Sequence, residues 1–276
     1  VYSSASNATS ELFGIYEAMV QYEYYGNEFL FLTNVNSGLM VTRRTGNRNN
    51  NSYNSTLSSL NPTSGLVAIE NSWIGIYETI GRTNDAISSA TVFDNPSTSD
   101  ELVINDVIGQ AYFVRAFNYF NLVRLWGEIP LRVTPTTTET IHLAKSPIID
   151  VYAQIIADAQ TAAILINGAT GPGYPKQYAA NMLLAKVYMT LATSPDLQTD
   201  GISESQYWQL AYDQAIMVYG QYSLVSDYSS LFTDEFENST ESIFELQMSQ
   251  DAANSQMGRN YTPYKYKLGQ HFGWLC

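Results

Sequence analysis

Cysteine is all but missing from this sequence. Of 276 residues only Cys276, the last, carries a thiol, so no internal disulfide can form. Histidine is nearly as scarce: His142 and His271 lie far apart, and with one terminal cysteine they make no zinc-type ligand cluster. Charge is sparse and one-sided. Charged residues amount to 14%, with 13 Lys or Arg against 26 Asp or Glu, for a net charge of −13. A polyanion binder needs a basic surface, so nucleic acid is not expected as a partner. No run of 18 apolar residues and no signal peptide occurs, so no segment is expected to span a membrane. There is also no Gly-x-Ser-x-Gly nucleophile elbow.

Apolar residues make up 45% of the chain, enough for a substantial core, and tyrosine alone contributes 21. With so few charges, polarity comes from amides and hydroxyls, which suits a surface that hydrogen-bonds neutral ligands. The start at Val1 and the end at HFGWLC suggest a chain trimmed at both ends.

Helical periodicity dominates the pattern. Leu12, Ile15, Tyr16, Met19 and Val20 space out one amphipathic face over 11–25, and Trp73, Ile76, Tyr77, Ile80, Asn84 and Ile87 another over 73–90. From Ile108 to Trp126 a helix is apolar nearly all round, with Phe113, Phe117, Phe120, Leu122, Val123, Leu125 and Trp126 leaving no solvated face. Gly127 and Pro130 stop it, and its Arg115, Asn118 and Arg124 will need partners. Thr98-x-x-Glu101 and Ser203-x-x-Gln206 read as capping boxes, and Ser146-Pro147 as a serine N-cap before a helix over 148–166. A further helix covers 176–192, and Glu241 to Met248 reads as a short strand. Helix pairs with Ala185, Ala211 and Ala215 at crossings and Tyr188 and Tyr222 at ends loosely fit tetratricopeptide-like units.

Three segments invite a chemical reading. Residues 168–176, rich in Pro and Gly, lack the Gly-Lys-Ser/Thr ending of a phosphate loop and read as a linker. Asp196-x-Gln198-x-Asp200-Gly201, with Glu204 ninth, partly mimics a calcium loop. Its twelfth position is Tyr207, which supplies no bidentate carboxylate, and a turn into the Ser203 cap accounts for the same residues. No cofactor is therefore expected, with calcium as a weak candidate. Asp94, Asp106, Asp234, Glu235 and Glu237 can be nominated as glycosidase carboxylates, but nothing pairs two of them and cap and turn roles explain most.

The string Arg115-Ala-Phe-x-Tyr-Phe-x-Leu-Val-Arg-Leu-Trp-Gly-Glu-Ile-Pro-Leu131 closely resembles the hallmark of the SusD/RagB family. Further segments match in the family's order: GIYEAM, Trp73-x-x-x-Tyr77-x-x-Ile80-x-x-x-Asn84, YAANMLLAKVYMTLA, and YSLVSDYSSLFTDEFENSTESIFELQ, together covering most of 12–247. The resemblance implies a mostly α, helical-repeat SusD-like fold with long loops and little β, forming a single domain over 1–276. This would be the N-terminal part of the family fold, without its C-terminal part. It further implies a non-catalytic, lipid-anchored protein on the extracellular face of the outer membrane. Such a protein captures oligosaccharide and passes it to a SusC-like TonB-dependent barrel transporter, touching the membrane only through its anchor.

Sugar binding needs aromatic planes to stack on pyranose faces and amides or guanidinium groups to bond hydroxyls. Two loops supply both, 42–54 (GNRNNNSYN within it) and 261–274 (YTPYKYKLGQHFGW). Trp274 is expected to stack, assisted by Tyr53 or Tyr264, with Arg43, Asn51 and Asn54 bonding hydroxyls. Trp73 is a further candidate, although its stripe better suits a core anchor for that helix, while Trp126 and Trp208 are expected to be core. Two other readings stay open: a helical-repeat adaptor that binds only protein or peptide, and a helical glycosidase.

Overall fold

A computed structural model describes residues 4–37, 56–57, 59–63, 65–90, 97–171, 173–198, 201–233 and 237–247. Among these residues lie seven α-helices: α1 (Ala5–Met19), α2 (Glu28–Asn36), α3 (Val67–Ala90), α4 (Thr98–Trp126), α5 (Ile148–Leu165), α6 (Ala179–Ala192) and α7 (Glu204–Val218). The only strands among them are two-residue pieces, β1 (Ile129–Pro130) and β2 (Lys145–Ser146), paired antiparallel with Ile129 opposite Ser146. The mostly helical expectation is met.

The chain forms two compact units. One holds Thr79–Glu245 together with residues 4–15; the other holds Tyr16–Glu78 and the described residues 246–247. In the smaller unit the core is aromatic. Tyr24 is fully buried, tilted against Tyr25 at 4.4 Å and edge-on to Phe29 at 5.1 Å. Phe29 lies in the first turn of α2, a helix the sequence pattern does not announce, because FLFLT is apolar without a clear period.

In the larger unit α4 packs on α5, α5 on α6 and α6 on α7, each helix on its neighbour in sequence, as helical repeats do. Every residue from Phe113 to Val123 is buried, so the all-apolar reading of α4 holds over three turns. It fails in the last turn, where Arg124 and Leu125 are exposed and Trp126 is half-buried. Gly127 ends the helix at φ +73 and ψ −119, backbone that residues with a Cβ avoid, and its N–H returns to Val123 O at 3.0 Å. Gly109 serves a different purpose. A Cβ there would sit 2.7 Å from the Ile166 backbone nitrogen, so only glycine lets α4 and the end of α5 approach this closely.

Three sequence expectations need local correction. The N-cap of α4 is Ser97, not Thr98, its hydroxyl accepting from the Asp100 N–H at 3.2 Å. Ser146 joins β2 and leaves Pro147 at the N-cap of α5 without a side-chain cap. Residues 241–247 form no strand, although Ser242, Phe244 and Leu246 are buried in alternation. The period-2 pattern is real, but among the described residues no neighbouring strand completes a ladder. The Ser203–Gln206 capping box, in contrast, forms in full.

By length and composition α5 is apolar enough to cross a membrane. It lies instead between α4 and α6 with Asp158 in a buried ion pair, and a core helix meets the same criterion.

Candidate functional site

Of the seven residues nominated for ligand contact, Trp274, Tyr53, Tyr264, Arg43, Asn51 and Asn54 lie outside the described residues. Trp73 lies in α3, half-buried, its indole tilted against Tyr77 one turn on at 4.8 Å and 46°. At this intermediate burial it serves as neither a pure core anchor nor a bare platform. Trp208 corrects the expectation of burial: it is 41% exposed, because α7 buries Tyr207, Ala211 and Val218 on another face.

The motif residues of α4 occupy the interior. Arg115 is buried and grips Asp158 of α5 with two parallel bonds, Nε to Oδ2 and Nη2 to Oδ1, each 2.7 Å. Its Nη1 donates to Asn84 Oδ1 of α3 at 2.8 Å and to Val133 O at 3.0 Å. Asn84 in turn donates to the carbonyls of Arg132 and Thr134, and Gln154 Nε2 donates to Asp158 Oδ1 at 2.8 Å. Tyr119 completes the frame. Its hydroxyl donates to Arg132 O and accepts from Arg132 N–H, both at 2.6 Å. Burial holds the Tyr119 hydroxyl well above the usual tyrosine pKa, against the opposing pull of the Arg132 backbone bond and the Arg115 charge. From this frame Arg132 reaches out to Thr140 O and Ile141 O, closing the exposed loop that follows β1. These side chains position a loop; being saturated by one another, they are not available to a ligand.

Two further clusters are likewise internal. The fully buried Asp106 accepts from the N–H groups of Asn167, Gly168 and Thr170 (2.7, 2.9 and 3.0 Å), from the Thr170 hydroxyl (2.6 Å) and from Gln110 Nε2 (3.1 Å). The amides a phosphate loop would offer are thus aimed at the chain's own carboxylate, and Asp106 is spoken for as a catalytic acid. Asp94, Asp234 and Glu235 lie outside the described residues. Lys176 Nζ donates to Ser239 O and Ser242 O and lies 5.5 Å from the Tyr222 ring centre. Burial pulls its pKa down, partly offset by Glu245. Gln198 Nε2 is turned onto Leu191 O and Ala192 O, at 3.1 and 3.2 Å. Among the described residues no group of three or more His, Cys, Asp or Glu is placed to hold a metal.

The family model described as starch-binding and associating with the outer membrane, SusD-like, matches residues 11–189. SusD-like protein P2 of Formosa agariphila is 39% identical over 121 residues, 43% of this chain and 23% of that protein. SusD-like protein P25 of the same organism is 23% identical over 261 residues, 91% of this chain and 46% of that protein. A laminarin-binding SusD-like protein shares the fold at a TM-score of 0.71 with 23% identity, over 88% of this chain and 51% of that one. A structure solved with xylogluco-oligosaccharide shares it at 0.72 with 20% identity, over 89% and 46%. The chain thus spans about half the length of these solved proteins, and less than half of the two curated relatives.

Proposed function

Since the chain belongs to the SusD-like family, we propose that it is part of a non-catalytic surface protein that captures oligosaccharide and hands it to a TonB-dependent, SusC-like barrel. The match over residues 11–189 to a family described as starch-binding and outer-membrane-associated is the observation that carries this reading. Attachment at the extracellular face through a lipid anchor, and the absence of a cofactor, belong to the same proposal. Two proteins of this fold, described with laminarin and with xylogluco-oligosaccharide, make neutral glucan-type polymers the first ligands to try. Their identity to this chain is too low to carry a particular sugar across.

The division of labour within the chain agrees with the proposal. The motif helix α4 and its partners form a saturated scaffold, while the aromatic and amide-rich loops 42–54 and 261–274 remain the proposed contact elements, with Trp274 stacking and Tyr53, Tyr264, Arg43, Asn51 and Asn54 in support. Glycosidase activity loses ground because Asp106, one of its nominated acids, is held by internal donors.

The test is affinity electrophoresis of the full-length protein through gels holding neutral plant, algal, fungal and host glycans. Retardation by one or two polymers, lost in Trp274→Ala with an unchanged unfolding midpoint, is the expected result. No retardation by any polymer would turn the reading toward a protein-only adaptor, and release of reducing sugar would turn it toward a glycosidase.

A further inference from the structure

Helix α7 leaves a large apolar face in water. Trp208, Tyr212, Ile216 and Tyr219 are 41, 58, 47 and 82% exposed, whereas Tyr207, Ala211 and Val218 are buried. At about 100° of rotation per residue Trp208, Tyr212 and Ile216 fall within about 80° of one another, one stripe along the last three turns of the helix, and Tyr219 follows as its C-cap. Aromatic rings of this size left exposed in a row mark contact surfaces.

The electrostatic setting narrows the occupant. Glu204 and Asp213, both exposed, flank the stripe on either side, and each is oriented by a neighbour. Trp208 Nε1 donates to Glu204 Oε1 at 3.3 Å, and Gln209 Nε2 donates to Asp213 Oδ1 at 2.7 Å. Between Lys186 and Arg259 the sequence has no Lys, Arg or His and eleven Asp or Glu. A second copy is itself of net charge −13 and so is disfavoured as the occupant, as is an anionic ligand. The stretch of chain that holds α7 carries no positive charge of its own, and aromatic faces attract cations through their quadrupole. The chain's own cations already use that contact, with Arg124 4.1 Å and Arg115 5.1 Å from the ring centres of Phe120 and Tyr112. Among the described residues none sits over Trp208, Tyr212 or Tyr219.

We propose that the α7 stripe docks a basic polypeptide surface, seating Arg or Lys head groups on Trp208 and Tyr212 between Glu204 and Asp213. This goes beyond glycan capture and does not depend on it.

The test is fluorescence anisotropy of the whole chain with a labelled nona-arginine peptide at low and physiological ionic strength. W208A/Y212A changes no charge and is expected to weaken binding about tenfold. W208L/Y212L, which keeps the apolar area without the aromatic face, should weaken it similarly, and E204Q/D213N should both weaken it and flatten its salt dependence. An unchanged unfolding midpoint shows that each variant folds. Equal peptide affinity in W208A/Y212A, or no binding by the parent chain, overturns the proposal. So does a dimer in light scattering that W208A/Y212A dissolves, since a second copy is then the occupant. Retardation by a neutral glucan lost in W208A/Y212A but kept in Trp274→Ala overturns it too, making the stripe a sugar platform. The glycan reading fails separately, by absence of retardation in the parent chain.

Discussion

Replacing Asp158 by Ala removes the carboxylate that neutralises a guanidinium deep in the larger unit. Arg115 and Asp158 are nearly inaccessible to solvent, joined by two bonds of 2.7 Å, and Asp158 also accepts from Gln154. Water cannot reach Arg115 to replace what is lost, so the charge stays buried without its counter-ion. Breaking such a pair from one side costs about 3–5 kcal/mol. For a chain of this size that lowers the thermal midpoint by about 6–20 °C. Urea unfolding followed by far-ultraviolet circular dichroism gives the free-energy change directly. The companion variant R115M/D158L removes both charges and should recover to within about 1–2 kcal/mol of the parent chain. The remainder reflects Asn84 Oδ1 and Val133 O, which lose the Arg115 Nη1 donor. An Asp158→Ala chain less than about 1 kcal/mol below its parent would refute the buried-pair account. So would a double variant no better than the single one.

Tyr119→Phe leaves the Arg132 N–H and carbonyl without their partner and should cost about 1–3 kcal/mol by the same urea assay. Because burial raises the folded-state pKa of Tyr119 above its unfolded value near 10, its contribution is complete below about pH 10 and is lost as pH rises further. The urea midpoint of the parent chain should fall above that pH, and Tyr119→Phe should fall less steeply. Gly109→Ala drives a methyl into the Ile166 nitrogen and the Leu165 side chain. Despite a gain in helix propensity of up to about 1 kcal/mol, it should lower stability by about 1–3 kcal/mol. A neutral or stabilising result in thermal melts would show that α4 and α5 do not meet as described. Asp106→Asn turns one acceptor into a donor facing the N–H groups of 167–170. It should destabilise by at least about 2 kcal/mol and speed hydrogen exchange at Gly168 and Thr170.

Much of this architecture was legible in the sequence. The periodicity at Trp73–Asn84, the apolar girth of Phe113–Val123, and the Ser203 capping box each rest on local rules, and tertiary packing agreed with them. Arg115 was legible as a buried group in need of a partner, but the partner was not. Asp158 sits in an apolar stretch 43 residues on, and only the packing of α5 on α4 brings the two together. A lone carboxylate amid IIADAQTAAIL was the signal available. Asp106 is legible as a cap or turn carboxylate, but the sequence gives no sign that the turn it holds is the Gly168 turn, about 60 residues on. Trp208 is expected in the core because it lies on a capped helix, and a cap does not say which face of α7 meets α6. The proposed ligand loops were read from composition, and loop composition suggests chemistry without fixing geometry.

The clasp of Arg132 on Thr140 and Ile141 gives the molecule a practical handle. Because the two guanidinium bonds, the Tyr119 hydroxyl and Asn84 fix both ends of this loop, its tip at Thr137–Glu139 is a short exposed segment whose ends stay together whatever lies between. Lengthening a closed loop adds little entropy once its ends are held, since each doubling costs only about 0.6 kcal/mol. An epitope tag or a fluorophore-bearing peptide grafted after Thr138 would therefore report on the protein while leaving the helical scaffold undisturbed.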